Sequence, residues 1–94
     1  MATYIIGFDL NKEGAAYSAA HKKLTDRMEQ LFPTYWRNLD STWIVVSDLS
    51  VVQIRDDLMR YMDSNDELLV VKSANIAAWS GFKKPASDWL KNYI

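Results

Sequence analysis

The sequence has no cysteine, only three glycines and two prolines, and a single histidine among its 94 residues. The absence of cysteine excludes disulfide bonds and thiolate metal sites. The few glycines do not fall in the spacing of a phosphate-binding loop, which excludes the common nucleotide-binding motifs. His21 has no recognisable partner at helical spacing, so neither a histidine metal site nor a histidine base is predicted.

Long apolar runs and a strong net charge are also absent. No stretch approaches the roughly 20 apolar residues that cross a bilayer. No basic region precedes the apolar stretch near the N-terminus, as it would in a signal peptide. We therefore expect a cytoplasmic protein with no membrane partner. The formal net charge of −1 argues against a strongly basic nucleic-acid module but leaves room for a local basic patch.

Aromatic side chains, by contrast, are abundant. Four tryptophans and five tyrosines carry so much apolar area that most of it must be buried in a core or an interface. The length, together with a hydrophobic fraction of 49%, suits one globular domain spanning residues 1–94.

The chain is organised around an almost wholly apolar run, residues 3–10, that predicts a buried strand with Asp9 where the strand runs out. Both of its alternating faces are apolar: Tyr4, Ile6 and Phe8 on one, Ile5 and Gly7 on the other. A strand without a polar face is typical of the centre of a sheet that is covered on both sides.

The remaining pattern predicts a ferredoxin-like βαββαβ order, in the α+β class. Right-handed crossovers would place both helices on one face of a four-stranded antiparallel sheet. A capping box, Ser50 with Gln53, should open the second helix. The predicted ranges are helices over 15–32 and 51–62, and strands over 35–39, 41–47 and 67–72.

Two helices cover one face of such a sheet, yet the first strand is apolar on both. The C-terminal segment, residues 73–94, is rich in tryptophan and should form a short helix over 85–93 with Pro85 near its start. We expect this segment to pack on the second face of the sheet, either in its own subunit or across a homodimer.

Asp9 is the candidate catalytic and metal-binding residue. A carboxylate at the end of a central strand can hold Mg²⁺ or Mn²⁺, because such an ion needs only one or two protein carboxylates and keeps its waters. If two subunits paired about the open face, two copies of Asp9 could share one ion. The alternative is that Asp9 only accepts amide hydrogen bonds where the strand turns into a loop.

Lys72, Lys83 and Lys84 are the candidate nucleic-acid-binding residues. They fall in the C-terminal part of the sequence, interleaved with Trp79 and Phe82. Cations alternating with aromatics are typical of a surface for single-stranded nucleic acid, on which bases stack. The alternative is that the aromatics belong to a core or an interface and that the lysines solvate its rim.

Four segments resemble those of short bacterial and phage proteins known as the SinR family. They read Phe-Asp-Leu-Asn-Lys-Glu-Gly, Leu-Asp-Ser-Thr-Trp-Ile-Val, Asp-Glu-Leu-Leu-Val-Val-Lys and Ala-Trp-Ser-Gly-Phe, at residues 8–14, 39–45, 66–72 and 78–82. The resemblance spans nearly the whole chain, but that group has no established function. Its name suggests a transcriptional regulator, yet no helix-turn-helix is visible.

Residues 4–10 and 39–45 also resemble strands of the small CRISPR-adaptation nuclease family. In that family a hydrophobic strand ends in a Tyr-Asp-Ile-like triplet whose aspartate is the proposed metal ligand. The resemblance covers mainly the first 72 residues and implies a ferredoxin-like homodimer in which Asp9 is the metal ligand. The Trp-rich segment departs from that family, which carries a plain extra strand there.

The sequence therefore supports two functions from different classes. The first is a homodimer that interacts with nucleic acid and cleaves it as a metal-dependent endonuclease, with Asp9 as the catalytic residue. The second is a non-catalytic module that binds a protein partner. A small-molecule sensor is a third, because ferredoxin-like sheets host many ligands.

Overall fold

The computed structural model describes all 94 residues as one four-stranded antiparallel sheet with three helices. The strand order is β2-β3-β1-β4, so β1 is internal and β2 and β4 are edge strands. This is an α+β fold compatible with the ferredoxin-like arrangement. The elements are β1 (Ala2–Asp9), α1 (Gly14–Leu31), β2 (Thr34–Leu39), β3 (Thr42–Ser47), α2 (Val51–Met59), β4 (Glu67–Lys72) and α3 (Lys84–Tyr93).

The predicted elements are all present, and α2 differs most from its predicted range. It was expected to run to Met62 but ends at Met59. The amides of the next three residues, Arg60 to Met62, bond to carbonyls three positions back rather than four. Such tightening is common at the last turn of a helix.

The predicted capping box at the start of α2 is confirmed. The hydroxyl of Ser50 accepts a hydrogen bond from the Gln53 amide at 3.1 Å. The side chain of Gln53 in turn accepts one from the Ser50 amide at 2.8 Å. Two amides that the first turn would otherwise leave unpaired are thereby satisfied.

Helices α1 and α2 both pack on one face of the sheet, as right-handed crossovers predict. That face buries a single apolar cluster, and its members from the helices interleave with those from the strands. The strands contribute Tyr4, Ile6, Phe8, Trp43 and Val45, and the helices contribute Leu24, Met28, Ile54 and Leu58. None of the three helices has the length and apolar character needed to span a bilayer.

The C-terminal segment packs on the second face, within its own subunit. Ala86 and Leu90 of α3 are buried against Trp36 of β2 and Ile44 of β3. Trp36 also donates a hydrogen bond from its indole Nε1 to the carbonyl of Ala86 at 3.2 Å. Helix α3 is thus held on β2 and β3 both by apolar contact and by a hydrogen bond.

A second hydrogen bond fixes the far end of α3. The hydroxyl of Thr3, at the start of β1, donates to the carbonyl of Tyr93 at 2.8 Å. The helix therefore lies over β2 and β3 at its beginning and reaches the start of β1 at its end. The opposite end of β1 and the outer part of β4 are left without a helix on this face.

A bidentate ion pair joins α1 to α2 on the first face. Arg27 donates to the two carboxylate oxygens of Asp57 at 2.8 and 2.6 Å, and both side chains are largely shielded from solvent. The hydrogen bonds from Arg27 hold the pKa of Asp57 below its ordinary value, although partial burial opposes them. Asp57 thus favours its charged form in the folded chain.

The lowered pKa of Asp57 predicts a dependence of stability on pH. A carboxyl with a lower pKa in the folded chain stabilises it above the unfolded pKa, about 3.9 for aspartate, and the stabilisation disappears as the pH falls through the folded pKa. We expect Asp57→Asn to lower Tm at pH 7 and to reduce the loss of Tm below about pH 4. Asp56→Asn, at the exposed neighbouring carboxylate, is the control. Equal Tm profiles for the two variants would contradict the prediction.

Candidate functional site

Asp9 lies directly opposite a second carboxylate. In the antiparallel pairing of β1 with β4, the Cα partner of Asp9 is Glu67, the first residue of β4. Side chains at directly opposed positions emerge on the same face of the sheet, with Cβ atoms roughly 4.5–5.5 Å apart. Both side chains are exposed. The two carboxylates therefore form a pair, which we call the Asp9–Glu67 pair.

The pair borders an open depression of about 330 Å³ on the second face of the sheet. Gly7 forms part of its wall, and a Cβ at that position would meet no atom within 4 Å. The C-terminal segment does not reach this part of the face. The depression is consequently accessible from solvent, with the carboxylates at its edge.

The loops beyond the pair are fastened to each other. Lys12, in the loop after β1, donates to Asp63 and Asp66 in the turn before β4, each at 2.8 Å. Asp66 also accepts from the backbone amides of Asn11 at 3.0 Å and Asp63 at 2.8 Å. Since these loops hold the ends of β1 and β4 together, they also hold Asp9 next to Glu67.

Burial raises the pKa of Asp66, but the hydrogen bonds from Lys12 and from the two amides outweigh it and bring the pKa below its ordinary value. The same contacts with Asp63 and Asp66 raise the pKa of Lys12. This end of the sheet therefore carries four carboxylates and one lysine whose charge is already engaged. The surroundings favour a cation over an anion.

The donor set suits a hard divalent cation held by few protein ligands. Mg²⁺ and Mn²⁺ prefer oxygen ligands, and one or two carboxylates with several waters are enough. Like charges placed directly opposite each other also destabilise a sheet, so a cation between them would relieve a repulsion built into the strand register. No group of three or more acidic or histidine side chains in the chain is arranged so that it could hold a metal ion.

The structure does not bring the three predicted lysines together. Lys72 ends β4 at one edge of the sheet. Lys83 and Lys84 stand at the start of α3, beside β2 at the other edge. Lys84 is paired with Asp88 at 2.6 Å, whereas Lys72 and Lys83 form no ion pair. The lysines therefore do not line one continuous path.

The aromatics between these lysines are engaged with the sheet. Phe82 meets the ring of Trp36 edge-on, with 4.9 Å between centroids. Trp79 donates from Nε1 to the hydroxyl of Ser87 at 3.0 Å and packs on the same cluster. Neither ring projects freely from the surface as a platform on which a base would stack.

An apolar cleft of about 350 Å³ remains beneath the C-terminal segment. It opens between the sheet and residues 77–82, and no charged side chain lines it; Thr42 and Ser80 supply its only polar side chains. Its size falls at the low end of the range for small-molecule sites. Among the features of the fold, this cleft best suits the alternative function of a small-molecule sensor.

Sequence reasoning found Asp9 but missed Glu67. The signal that could have found it was the antiparallel pairing of the first and last predicted strands, because the first strand has a carboxylate where it ends and the last has one where it begins, and antiparallel pairing places these two positions at the same end of the sheet. Without a register, however, two acidic residues 58 positions apart cannot be assigned as neighbours. A scan against protein-family models finds no match for the chain, and a search of curated proteins finds no similar sequence.

Proposed function

We propose that this protein is a small homodimer that interacts with nucleic acid and hydrolyses its phosphodiester bonds with a divalent cation held by the Asp9–Glu67 pair. The observation that carries the proposal is the direct opposition of Asp9 and Glu67 on neighbouring strands. The ferredoxin-like topology, the homodimer and the resemblance to the CRISPR-adaptation nuclease family belong to the same proposal.

Three properties of the site support a metal-dependent reaction. Two carboxylates can reach one ion from adjoining strands, the depression beside them is open, and the local charge is acidic. When bound, Mg²⁺ or Mn²⁺ would polarise a phosphoryl oxygen and lower the pKa of a bound water. The chain itself supplies the ligands and, through Lys12, the fixed spacing of the loops that adjoin them.

The basic residues predicted to contact nucleic acid have a smaller part in the proposal. Lys72 and Lys83 are exposed and free of ion pairs, and they lie at opposite edges of the sheet. Each would contact phosphate separately, so the salt dependence of binding should be shallow. Lys84 would first have to leave Asp88.

Incubation of the purified protein with single- and double-stranded RNA and DNA, with Mg²⁺, Mn²⁺ or EDTA, tests the proposal. We expect cleavage of at least one substrate that requires the cation. If no substrate is cleaved with either ion, the enzyme function is rejected. A mobility-shift assay over a range of salt then decides whether the protein still binds nucleic acid, because binding through phosphate contacts weakens as salt rises, with a shallow slope when only a few lysines take part.

A second candidate is a non-catalytic module that binds a protein partner. The observation that favours it is a strip of exposed apolar side chains on the edge strand β4, formed by Leu69 and Val71, with the exposed Val52 of α2 near the other face of the same strand. Such strips mark interaction surfaces on soluble proteins. This candidate predicts that protein association persists in an Asp9→Asn variant, whereas cleavage is absent from the wild type.

A further inference from the structure

The outer side of β4 carries a row of backbone groups without partners. The amide of Ser73 donates to the carbonyl of Thr3 at 2.8 Å, which makes Thr3 and Ser73 a hydrogen-bonded pair. In an antiparallel ladder such pairs alternate with non-bonded ones. The backbone groups of Leu68, Val70 and Lys72 must therefore point away from β1, towards the free edge.

The middle of this edge lacks the proline, the bulge and the charged side chains that often protect an edge strand. β4 contains no proline, and its pairing with β1 runs without a bulge from Lys72 to Glu67. Leu69 is 63% exposed and Val71 43% exposed on the second face. On the side of the first face, Val51 and Val52 at the start of α2 line a mostly apolar groove along β4, together with Arg55. An exposed, regular and apolar edge strand is a template for pairing with another strand.

We propose that the β4 edge pairs in antiparallel fashion with the β4 edge of a second copy of this chain, about a two-fold axis at Val70. In this register Val70 lies opposite its own copy, and Leu68 lies opposite Lys72 of the other subunit. All three are residues whose backbone groups point outward, so each pair exchanges two hydrogen bonds.

The same register matches the side chains. Leu69 of each subunit lies opposite the Val71 position of the other, so the exposed apolar residues cover one another. The strand begins with Glu67, next to the acidic turn 63–66, and ends with Lys72. Antiparallel pairing brings the acidic end of one copy to the lysine end of the other, whereas parallel pairing would place like charges together. This complementarity of the strand with itself identifies the partner as a second copy.

The inference rests on the homodimer in the proposed function and specifies its interface. It also changes the expected metal site. Two copies of Glu67 would stand roughly 20 Å apart along the paired strands, at about 3.3 Å per residue. One ion could not be shared between them, so each subunit would hold its own ion with its own Asp9–Glu67 pair.

Sedimentation equilibrium of charge-swapped variants tests the interface. We expect a wild-type dimer, and monomers for the double variants L69K/V71K and L69E/V71E, because each places like charges opposite each other twice. Mixing the two should restore a dimer, since every introduced lysine then lies opposite an introduced glutamate. Leu39→Lys, at an exposed apolar position on the other edge strand β2, is the matched control and should remain dimeric.

Cysteine cross-linking tests the register, because the chain has no cysteine of its own. Leu69→Cys mixed with Val71→Cys should form a disulfide-linked dimer under mild oxidation, since directly opposed non-bonded positions have Cα atoms about 4.5 Å apart. Leu69→Cys alone should not link. Linking of Leu69→Cys with itself would place the axis at residue 69 and overturn the register.

The possible failures are distinguishable. A wild-type monomer would overturn both the interface and the homodimer of the proposed function. A dimer that persists in both charged variants would overturn the β4 interface and leave the homodimer standing. Neither result bears on cleavage by the Asp9–Glu67 pair, which is measured separately.

Discussion

A Leu90→Ala variant is expected to lose about 2–5 kcal/mol of unfolding free energy, the usual cost of such a deletion in a well-packed core. Leu90 is only 2% exposed, and it packs from α3 against Trp36 and Ile44 on the second face of the sheet. This loss is large relative to the native stability of a single domain, which is only about 5–15 kcal/mol.

Urea unfolding followed by tryptophan fluorescence measures this loss, since Trp36 and Trp79 lie in the same cluster. Lys91→Ala, at the next position on an exposed part of α3, is the matched control and should stay within about 0.5 kcal/mol of the wild type. Equal stability of the two variants would mean that the C-terminal segment does not cover the sheet in its own subunit.

The fold could be predicted largely because the chain obeys its periodicities. The β-branched and aromatic run of β1 is typical of a buried strand, and the apolar residues of α1 recur at the three- and four-residue steps of a helix: Tyr17, Ala20, Leu24, Met28 and Leu31. The predicted bounds of most elements lie within one residue of those observed. The exception, the end of α2, was decided by hydrogen bonding in the last turn, which apolar spacing does not encode.

Where the C-terminal segment packs could not be predicted from composition. Trp79 and Trp89 needed burial, but an apolar segment gains the same transfer free energy in its own subunit as in a partner's. The choice depends on specific contacts such as the hydrogen bond from Trp36 to Ala86. To predict those contacts, one must know that α3 begins beside β2, and no local sequence pattern indicates this.

Of the two carboxylates in the candidate site, only one was predicted, because the second depends on how distant parts of the chain pair. Asp9 stands out because it ends an apolar strand, a local feature of the sequence. Glu67 becomes its partner only through the register of β1 with β4, and a slip of one residue would send its side chain to the other face. The three predicted lysines are the opposite case. Lys72 and Lys83 are close in sequence but lie at opposite edges of the sheet.

Asp9→Asn and Glu67→Gln are each expected to lower cation-dependent cleavage at least about 100-fold. Substituting even the outer partners of metal ligands costs about 10–100-fold in affinity or activity, and here each variant removes half of the protein's ligands. Both substitutions preserve the shape of the side chain, so the fold should be retained. Asp40→Asn, at the exposed turn between β2 and β3, is the matched control and should cleave at the wild-type rate.

Thermal unfolding gives an independent measurement of the same pair. Mn²⁺ should raise the Tm of the wild type, because a ligand that binds only the folded state stabilises it, and should leave the Tm of Asp9→Asn unchanged. Without the ion, Asp9→Asn should be more stable than the wild type by about 0.2–1 kcal/mol, since it removes a like-charge pair across the strands. Cleavage that survives in Asp9→Asn would place the activity elsewhere. A Tm that rises equally in both proteins would show that Mn²⁺ binds away from this pair.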